Sequence, residues 1–304
     1  MQKKLGVLFM VLTVVGCSIQ SGNTVKDLEA KGEGLAPVVL MSDFGTYDDG
    51  VAICKGTMLK IQPMLTFIDI THQIPTFSVK DAARFLANAT PHFPAGTVFV
   101  VLVERHSDNK TRPIVAKNKR GQYFVVSDNG ILSLVAERDG LEKVREISLN
   151  PWLTEKKITS TFMGRDVFAP IAAHLARGDD WTIVGPEIEN VSRLNLKSLE
   201  VSHNQITGEV IALDGPFGNL ITNITATALL DARYVLGDKV SIVIGETQHS
   251  LPFVKTFDDV AVNAKLIYVD STDHVAVAIN QGNFAKRYRV KPPLKIIIKA
   301  QKNR

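Results

Sequence analysis

The sequence is poor in cysteine and tryptophan, with two of each in 304 residues. A chain with so little cysteine cannot rely on a disulfide framework, so its fold must depend on a hydrophobic core. The excess of positive charge is also small, because 35 Lys and Arg face 31 Asp and Glu for a net charge of +4. The basic residues are dispersed along the chain, which argues against a nucleic-acid partner. There is no internal repeat and no low-complexity segment.

Several motifs that carry chemistry are absent as well. The sequence has no glycine fingerprint for a dinucleotide, no phosphate-binding loop and no nucleophile elbow. No group of His, Cys, Asp and Glu has the spacing of metal ligands, so no metal site is predicted. A composition of 45% hydrophobic and 22% charged residues is that of an ordinary globular protein, and the length is sufficient for two domains.

The beginning of the chain resembles an export signal rather than part of the fold. Two lysines precede a short apolar run that is too short to span a bilayer. Small residues then precede Cys17, as in bacterial lipoprotein processing sites. This resemblance implies a signal peptide over 1–16, a lipid anchor on Cys17 and a tether over 17–36. Ser18 favours the periplasmic face of the outer membrane; a plain signal peptide or short anchor with a chance cysteine is the alternative.

From residue 37 onward, apolar runs alternate with helical patterns. The predicted strands are Val38–Met41, Leu65–Ile70, Val98–Val103 and Tyr123–Ser127. The predicted helices are Val51–Ile61, Val79–Asn88, Ile131–Glu137 and Val167–Ala176. This alternation predicts an N-terminal α/β domain over 37–198, with a mostly parallel sheet covered on both faces. Cys54 falls in the first of these helices and is interpreted as a buried small hydrophobe.

After about residue 198 the helical period disappears. Short apolar runs separated by turn residues follow, at Gly208–Leu213, Leu220–Ile224, Val240–Ile244, Ala264–Val269, Val275–Ile279 and Leu294–Ile298. This pattern predicts a small all-β domain, a barrel, over 199–304.

Polar, glycine-bearing turns recur where apolar runs end, at 42–45, 127–130, 161–166 and 214–219. Each alone is more typical of a turn than of a site, but four together indicate pockets for a flat polar ring. Asp43 follows the first strand, where a carboxylate can hold the paired hydroxyls of a ribose. His72 follows the second strand and is interpreted either as a base or as a structural turn residue.

Seven ordered blocks of the sequence resemble the S-adenosylmethionine hydroxide adenosyltransferases and their fluorinating and chlorinating relatives. The blocks are Met41-Ser42-Asp43-Phe44-Gly45 with Asp48-Asp49, Cys54-Lys55-Gly56, Ile68 to His72, Phe93 to Val98, Asp128-Asn129-Gly130, Thr161 to His174, and Asp214 to Asn223. The resemblance implies an α/β domain followed by a β-barrel, and a homotrimer with its sites between subunits. It implies substitution at the 5′ carbon of S-adenosylmethionine, which is the substrate or ligand, with no cofactor.

By the same resemblance, Asp43 holds the ribose and Phe77 packs beside the ligand. Asp214 and Asn219 contact the methionine amino group and the surroundings of the adenine, and Phe217 stacks. Two further positions are less well aligned: Arg289 is expected near the methionine carboxylate, and Ser107 among the ligand contacts.

The sequence departs from the hydrolytic members in the residues that orient and activate water. Glu104 stands in the position of their Asp, Thr111 in that of their Arg, with Arg112 next to it, and Met163 in that of their His. The glycine loop after the Asp is also missing. Glu104, with His106, is the candidate substitute base, since a buried carboxylate near a sulfonium can order water.

Three functions therefore remain open at this point. The first is hydrolysis of S-adenosylmethionine to adenosine and L-methionine by a rearranged site. The second is binding of a nucleoside or adenosyl ligand without turnover, which suits an exported protein because S-adenosylmethionine is cytoplasmic. The third is attack by another nucleophile, although a fixed negative charge at Glu104 would repel halide.

Overall fold

The computed structural model describes residues 34–104, 111–153, 158–159 and 161–301. The chain divides into two units, Met1–Leu35 and Ala36–Arg304. The predicted signal peptide, the lipidated Cys17 and nearly all of the tether lie outside the described residues and stay predictions. No helix within the described ranges is long and apolar enough to cross a membrane.

The first sheet contains six strands, and four of them form its parallel part. The bounds are β1 Val38–Ser42, β2 Phe67–Thr71, β3 Val98–Leu102, β4 Pro113–Asn118, β5 Tyr123–Ser127 and β6 Leu141–Glu146. The order across the sheet is β2-β1-β3-β5-β4-β6. Strands β2, β1, β3 and β5 are parallel, whereas β4 is antiparallel to both β5 and β6. The mostly parallel sheet is confirmed, and β4 and β6 are additions that the sequence analysis did not predict.

Helices cover both faces of this sheet. They are α1 Gly50–Ile61, α2 Val79–Ala89, α3 Ser133–Asp139 and α4 Ala169–Arg177. Because successive side chains of a strand point to opposite faces, β1 contributes to both cores. Val38 and Leu40 join the cluster that includes residues of α1 and α4. Val39 and Met41 join the cluster that includes residues of α2 and α3. The apolar residues of β1 thus have a core on each side, as predicted for a covered parallel strand.

A turn of π-helix, Gly164–Phe168, precedes α4. Gly164 allows it to pack closely on the sheet, because a Cβ atom there would lie 3.3 Å from both Cys54 Sγ and a methyl group of Leu102. The predicted helix start at Val167 is therefore late, since the helical backbone already begins at Gly164.

The second sheet is antiparallel and nearly closes on itself. Its strands are β7 Glu200–Val201, β8 Gln205–Asp214, β9 Asn219–Thr225, β10 Lys239–Ile244, β11 Thr247–Pro252, β12 Lys265–Val269, β13 His274–Ile279 and β14 Leu294–Lys299. They lie in the order β11-β10-β14-β8-β9-β13-β12, and β7 pairs with β8. The two end strands approach each other just beyond β11, where the N–H of Val254 donates to the carbonyl of Ile267 at 3.0 Å. The predicted barrel is confirmed.

Two short helices belong to this part of the chain, α5 Ala226–Asp231 and α6 Phe284–Tyr288. Buried side chains from its strands and both helices form one core, which includes Val210, Leu229, Val277, Phe284 and Ile296. The two sheets share no strand among the described residues. The domain boundary between residues 198 and 199 stays a prediction.

Candidate active site at the ends of the parallel strands

Asp43 lies immediately after β1, at the carboxyl end of an interior parallel strand. Ligands of open α/β sheets bind at this edge. Oδ2 of Asp43 accepts a hydrogen bond of 2.9 Å from the backbone N–H of Phe77. Phe77 comes just before Ser78, the N-cap of α2, and its ring is 46% exposed. The structure therefore brings together the two residues expected to hold the ribose and to pack beside the ligand.

His72 supports the turn that carries Asp43. Its Nδ1 lies 2.8 Å from Oγ of Ser42, which is completely buried. Its carbonyl oxygen accepts a hydrogen bond of 2.6 Å from the N–H of Gly45. Its Nε2 lies 3.2 Å from Oδ1 of Asp69 on β2. Contacts on both nitrogens and on the backbone favour the structural interpretation of His72 over a free base.

Glu104 lies two residues beyond β3, the strand that pairs with β1 so that Leu102 is opposite Ser42. Oε1 of Glu104 accepts a hydrogen bond from Oγ of Ser127, at the end of β5. The residue as a whole is exposed to solvent, whereas its carboxyl group is partly desolvated. Burial raises the pKa of Glu104, the Ser127 hydrogen bond partly offsets the rise, and the nearby Asp43 carboxylate adds to it. The two carboxylates thus follow neighbouring parallel strands at the same edge of the sheet.

The residues that follow Glu104 in the sequence are described only from Thr111 onward. His106 and Ser107 lie outside the described residues, so their proposed roles stay predictions. Nε of Arg112 donates to Oδ2 of Asp128 at 2.9 Å, and its Nη1 lies 3.6 Å from Oε2 of Glu146. Arg112 is therefore engaged in an ion-pair network at the end of β5 and β6, with Thr111 half-buried beside it in sequence.

Met163 is half-buried and packs against the core cluster that contains α1 and α4. A thioether cannot exchange a proton, so this position supplies no base. Two residues further on, Arg165 forms a two-pronged contact with Asp166, at 2.6 and 2.9 Å. Thr159 donates both its N–H and its hydroxyl to the same carboxylate. Arg165, followed by these Thr159 bonds, holds the pKa of Asp166 well below its usual range.

A pocket of about 490 Å³ opens beside the start of α1. Its lining residues come from two of the predicted turns and from α1, and they are Phe44, Asp48, Asp49, Gly50, Ile53, Thr161 and Phe162. The rings of Phe44 and Phe162 meet edge to face with centroids 6.2 Å apart. The turns at 42–45 and 161–166 therefore meet in one concave site that combines aromatic faces with carboxylates, as a ligand with a flat ring and a positive charge requires.

The turn between β8 and β9 forms a second polar cluster. Nδ2 of Asn219 donates to Oδ2 of Asp214 at 3.3 Å, and the Phe217 ring is 64% exposed. Burial and then the charge of Asp214 raise the pKa of Tyr268 to about 12, so its phenol stays protonated. Arg289 is exposed at the end of α6 with φ 53°. No hydrogen bond or ion pair of the described residues joins this basic side chain to the turn.

The two clusters lie on different sheets, and no hydrogen bond, ion pair or ring contact among the described residues connects Asp43 with Asp214. The described part of the chain also contains no group of three or more His, Cys, Asp and Glu that could bind a metal. Cys54 is fully buried against the π turn, and burial raises the pKa of its thiol to about 12. It is therefore an unreactive core residue, as interpreted from the sequence.

These features define a class of protein: a parallel α/β sheet followed by an antiparallel barrel, with a carboxylate pair and an aromatic pocket at the strand ends. The chain belongs to the S-adenosylmethionine hydroxide adenosyltransferase family. Its residues 38–185 match the family's N-terminal domain, and residues 208–297 match the C-terminal domain.

Relatives with two different activities match most of the chain. A fluorinase from Actinoplanes sp. (strain N902-109) is 31% identical over 288 residues, which is 86% of this chain and 96% of the relative. An (R)-S-adenosyl-L-methionine hydrolase from Salinispora tropica is 33% identical over 254 residues, covering 83% of this chain and 93% of the relative. A solved structure of an uncharacterized conserved protein from Thermotoga maritima superposes with a TM-score of 0.81 at 34% identity, over 86% of this chain and 99% of that one.

Two site residues were not singled out from the sequence. Ser127 was noted only as part of a turn, and its contact with Glu104 spans 23 positions. Tyr268 lies in a predicted strand, where its alternation with apolar neighbours gives no sign of a partner on the β8–β9 turn. A pattern read along the chain identifies strand ends, but only the sheet order shows which strand ends are neighbours.

Proposed function

We propose that this protein hydrolyses S-adenosylmethionine to adenosine and L-methionine, by attack of water at the 5′ carbon. The observation that carries the proposal is the placement of two carboxylates, Asp43 and Glu104, at the ends of the neighbouring parallel strands β1 and β3. The hydrolase activity of the Salinispora relative supports it. Nothing in that comparison favours the alternative of ligand binding without turnover.

The reaction needs a positioned and partly deprotonated water more than it needs an acid. As the water oxygen bonds to the 5′ carbon, the carbon–sulfur bond breaks and its electron pair stays on sulfur. Methionine therefore leaves as a neutral thioether, and no proton has to be donated to it. The water proton passes to a base, for which we assign Glu104, and then to solvent. Its raised pKa makes it a stronger base than an exposed carboxylate, provided the pH keeps it ionised.

Asp43 binds the substrate in this scheme. One of its carboxylate oxygens is occupied by the N–H of Phe77. The remaining acceptor capacity suits the vicinal hydroxyls of a ribose, since hydrogen bonds to a charged oxygen are the strong ones. The half-exposed Phe77 ring covers apolar ligand surface next to it.

The acidic and aromatic pocket beside α1 suits the cationic part of the substrate, since Asp48 and Asp49 supply negative charge. The β8–β9 turn, with Asp214, Phe217 and Asn219, does not touch Asp43 within one chain. We therefore assign that turn to the site of a neighbouring subunit in a homotrimer, as the family resemblance implies. In this arrangement each site is complete only after assembly.

Two of the residues expected to orient and activate water are replaced in this chain, so Glu104 is the remaining candidate for the base. With Thr111 and Met163 in place of an Arg and a His, no cation and no imidazole stand at those positions. The negative charge of Glu104 also disfavours halide as the nucleophile. A halide about 4 Å from one carboxylate is opposed by roughly 4 kcal/mol in a medium of intermediate dielectric, before relaxation. A second carboxylate, that of Asp43, adds to this opposition.

Lipidation at Cys17, attachment to the outer membrane and the trimer are parts of the proposal that depend on resemblance alone. They place the reaction in the cell envelope, where S-adenosylmethionine must arrive from the cytoplasm. The proposed hydrolysis is therefore to be tested first on the purified protein, independently of where the protein lies in the cell.

The test is to incubate the full chain with S-adenosylmethionine in water enriched in heavy oxygen and to quantify adenosine and methionine by mass spectrometry. We expect equimolar products, with the heavy oxygen in the 5′ hydroxyl of adenosine. Glu104→Gln should lower turnover by a factor of at least about 100. Glu246→Gln, on the exposed turn between β10 and β11, is the matched control and should retain full activity.

Two results contradict the proposal. Saturable binding of adenosine or S-adenosylmethionine without product formation establishes the binding protein instead. Adenosine formation that Glu104→Gln leaves unchanged removes Glu104 as the base. The same incubation is repeated with added fluoride or chloride, and we expect no halogenated adenosine.

A further inference from the structure

Ser127 is the one described residue that fixes the carboxylate proposed to act as base. It is the last residue of β5, it is 3% exposed, and its Oγ donates a hydrogen bond to Oε1 of Glu104. We propose that Ser127 is a positioning residue for hydrolysis, holding Glu104 so that its second oxygen, Oε2, is presented to the attacking water. This inference rests on the proposed function and adds a residue that the resemblance does not supply.

A glutamate needs such support more than an aspartate does. The side chain of Glu104 is one methylene longer than that of the residue it replaces, so it has one more rotatable bond to fix. A base that turns away from the water loses the advantage of proximity, on which catalysis of this kind depends. The hydrogen bond to Oε1 removes that freedom and makes the two carboxylate oxygens inequivalent. Among the described residues, no hydrogen bond reaches Oε2.

The serine is itself well anchored. Its backbone pairs with Pro113 of β4, and the preceding Val126 pairs with Ile114. Its neighbour Asp128 is tied to Arg112 through an ion pair of 2.9 Å. Oγ of Ser127 therefore projects from backbone that is fixed by an internal strand, and its position is set by the sheet rather than by a loop.

The contact also affects the protonation of the base. A hydrogen bond from Ser127 stabilises the ionised form of Glu104, whereas burial and the charge of Asp43 stabilise the protonated form. Asp43, immediately after β1, is the charged group of the described residues that acts on Glu104, because Arg112 is engaged by Asp128 and Glu146. Loss of the hydroxyl should therefore raise the pKa of Glu104 further. Since the base acts when ionised, the acid limb of the rate profile should move to higher pH.

The experiment compares Ser127→Ala with Ser127→Thr in the full chain, each alone and combined with Glu104→Gln. Rates of adenosine formation are measured across the pH range, and thermal unfolding shows whether each variant folds. For Ser127→Ala we expect kcat to fall about tenfold, KM to change by less than about twofold, and the acid limb to shift upward. Ser127→Thr keeps a hydroxyl and should restore the profile. In the Glu104→Gln background, Ser127→Ala should have no further effect.

The outcomes distinguish failure of the proposed function from failure of the positioning role of Ser127 alone. If the unaltered chain forms no adenosine, or if Glu104→Gln is fully active, the proposed function fails and this role fails with it. If Glu104→Gln abolishes turnover but Ser127→Ala keeps the wild-type kcat and pH profile, only the positioning role is overturned. A raised KM with an unchanged kcat, or an equal loss in both backgrounds, also overturns it, because a residue that merely supports the fold gives those results.

Discussion

The backbone N–H of Phe77 donates a 2.9 Å hydrogen bond to Oδ2 of Asp43, so the residue proposed to hold the ribose also fixes the chain 34 positions later. This single contact ties the end of β1 to the start of α2. It gives Asp43 a structural and a binding role at once, and the two can be separated by the choice of substitution.

Asp43→Asn keeps an acceptor oxygen for Phe77 but loses the negative charge. We expect it to fold normally and to bind adenosine at least about tenfold more weakly, the usual cost of losing a charge-assisted hydrogen bond. Asp43→Ala loses both roles and should also unfold at a lower temperature. Calorimetric titration with adenosine and thermal unfolding measure the two effects. Unchanged affinity in both variants would exclude Asp43 as a ligand contact.

Phe77 has φ 63°, a left-handed conformation that is unfavourable for a residue with a Cβ atom. We therefore expect Phe77→Gly to be more stable than Phe77→Ala by about 1 kcal/mol, measured by urea unfolding. At exposed Asn88 in α2 the same comparison should have the opposite sign, because alanine is the better helix former. Both Phe77 variants should bind ligand less well. If the Phe77→Ala variant were more stable than Phe77→Gly, the backbone at position 77 would not be strained.

Asp166 gives a prediction for acid stability. Arg165 and Thr159 lower the pKa of Asp166 in the folded state below its ordinary value. A carboxylate of this kind stabilises the fold above its unfolded pKa, and the stabilisation is lost as the pH falls toward the folded pKa. Asp166→Asn should therefore be clearly less stable than the unaltered chain at pH 7. The difference should shrink as the pH drops below about 4. A difference in unfolding free energy that does not depend on pH would contradict this assignment.

Arg112 pairs with Asp128, whose side chain is only 6% exposed. Arg112→Ala leaves that charge buried without its main partner, and we expect a loss of about 2 kcal/mol in unfolding free energy, reduced because Arg112 is partly exposed. The double variant Arg112→Ala, Asp128→Asn removes the charge as well and should recover part of the loss. A double variant that is less stable by the sum of the two single effects would show that the pair is not coupled.

The sequence pattern predicts β1, β3 and β5, which each contain an unbroken run of apolar residues, and misses β4 and β6. Strand β3 is apolar throughout, β1 and β5 are apolar up to their last residue, a serine, and all three were located within one residue at each end. Strand β6 was missed because only Val144 among its six residues is buried, so its alternation of charged and apolar residues is incomplete. Strand β4 starts at Pro113 and follows a polar stretch, which conceals it.

The residues of the candidate site could likewise be predicted only in part. Asp43 and Glu104 could be located because each directly follows an apolar run, and a strand end in a parallel sheet is where chemistry is expected. The partner of Glu104 could not, since it depends on β5 lying next to β3 in the sheet. The role of Arg112 was also hidden, because its partners Asp128 and Glu146 lie 16 and 34 positions away.

Glu104, before segment 105–110, and Arg112, two positions after it, are held by consecutive residues at one strand end: Glu104 by Ser127 and Arg112 by Asp128. The end of β5 thus contacts the chain on both sides of this segment. A substitution at position 127 or 128 would therefore disturb Glu104 or Arg112 through the same strand end, so the proposed base and the ion-pair network share one support.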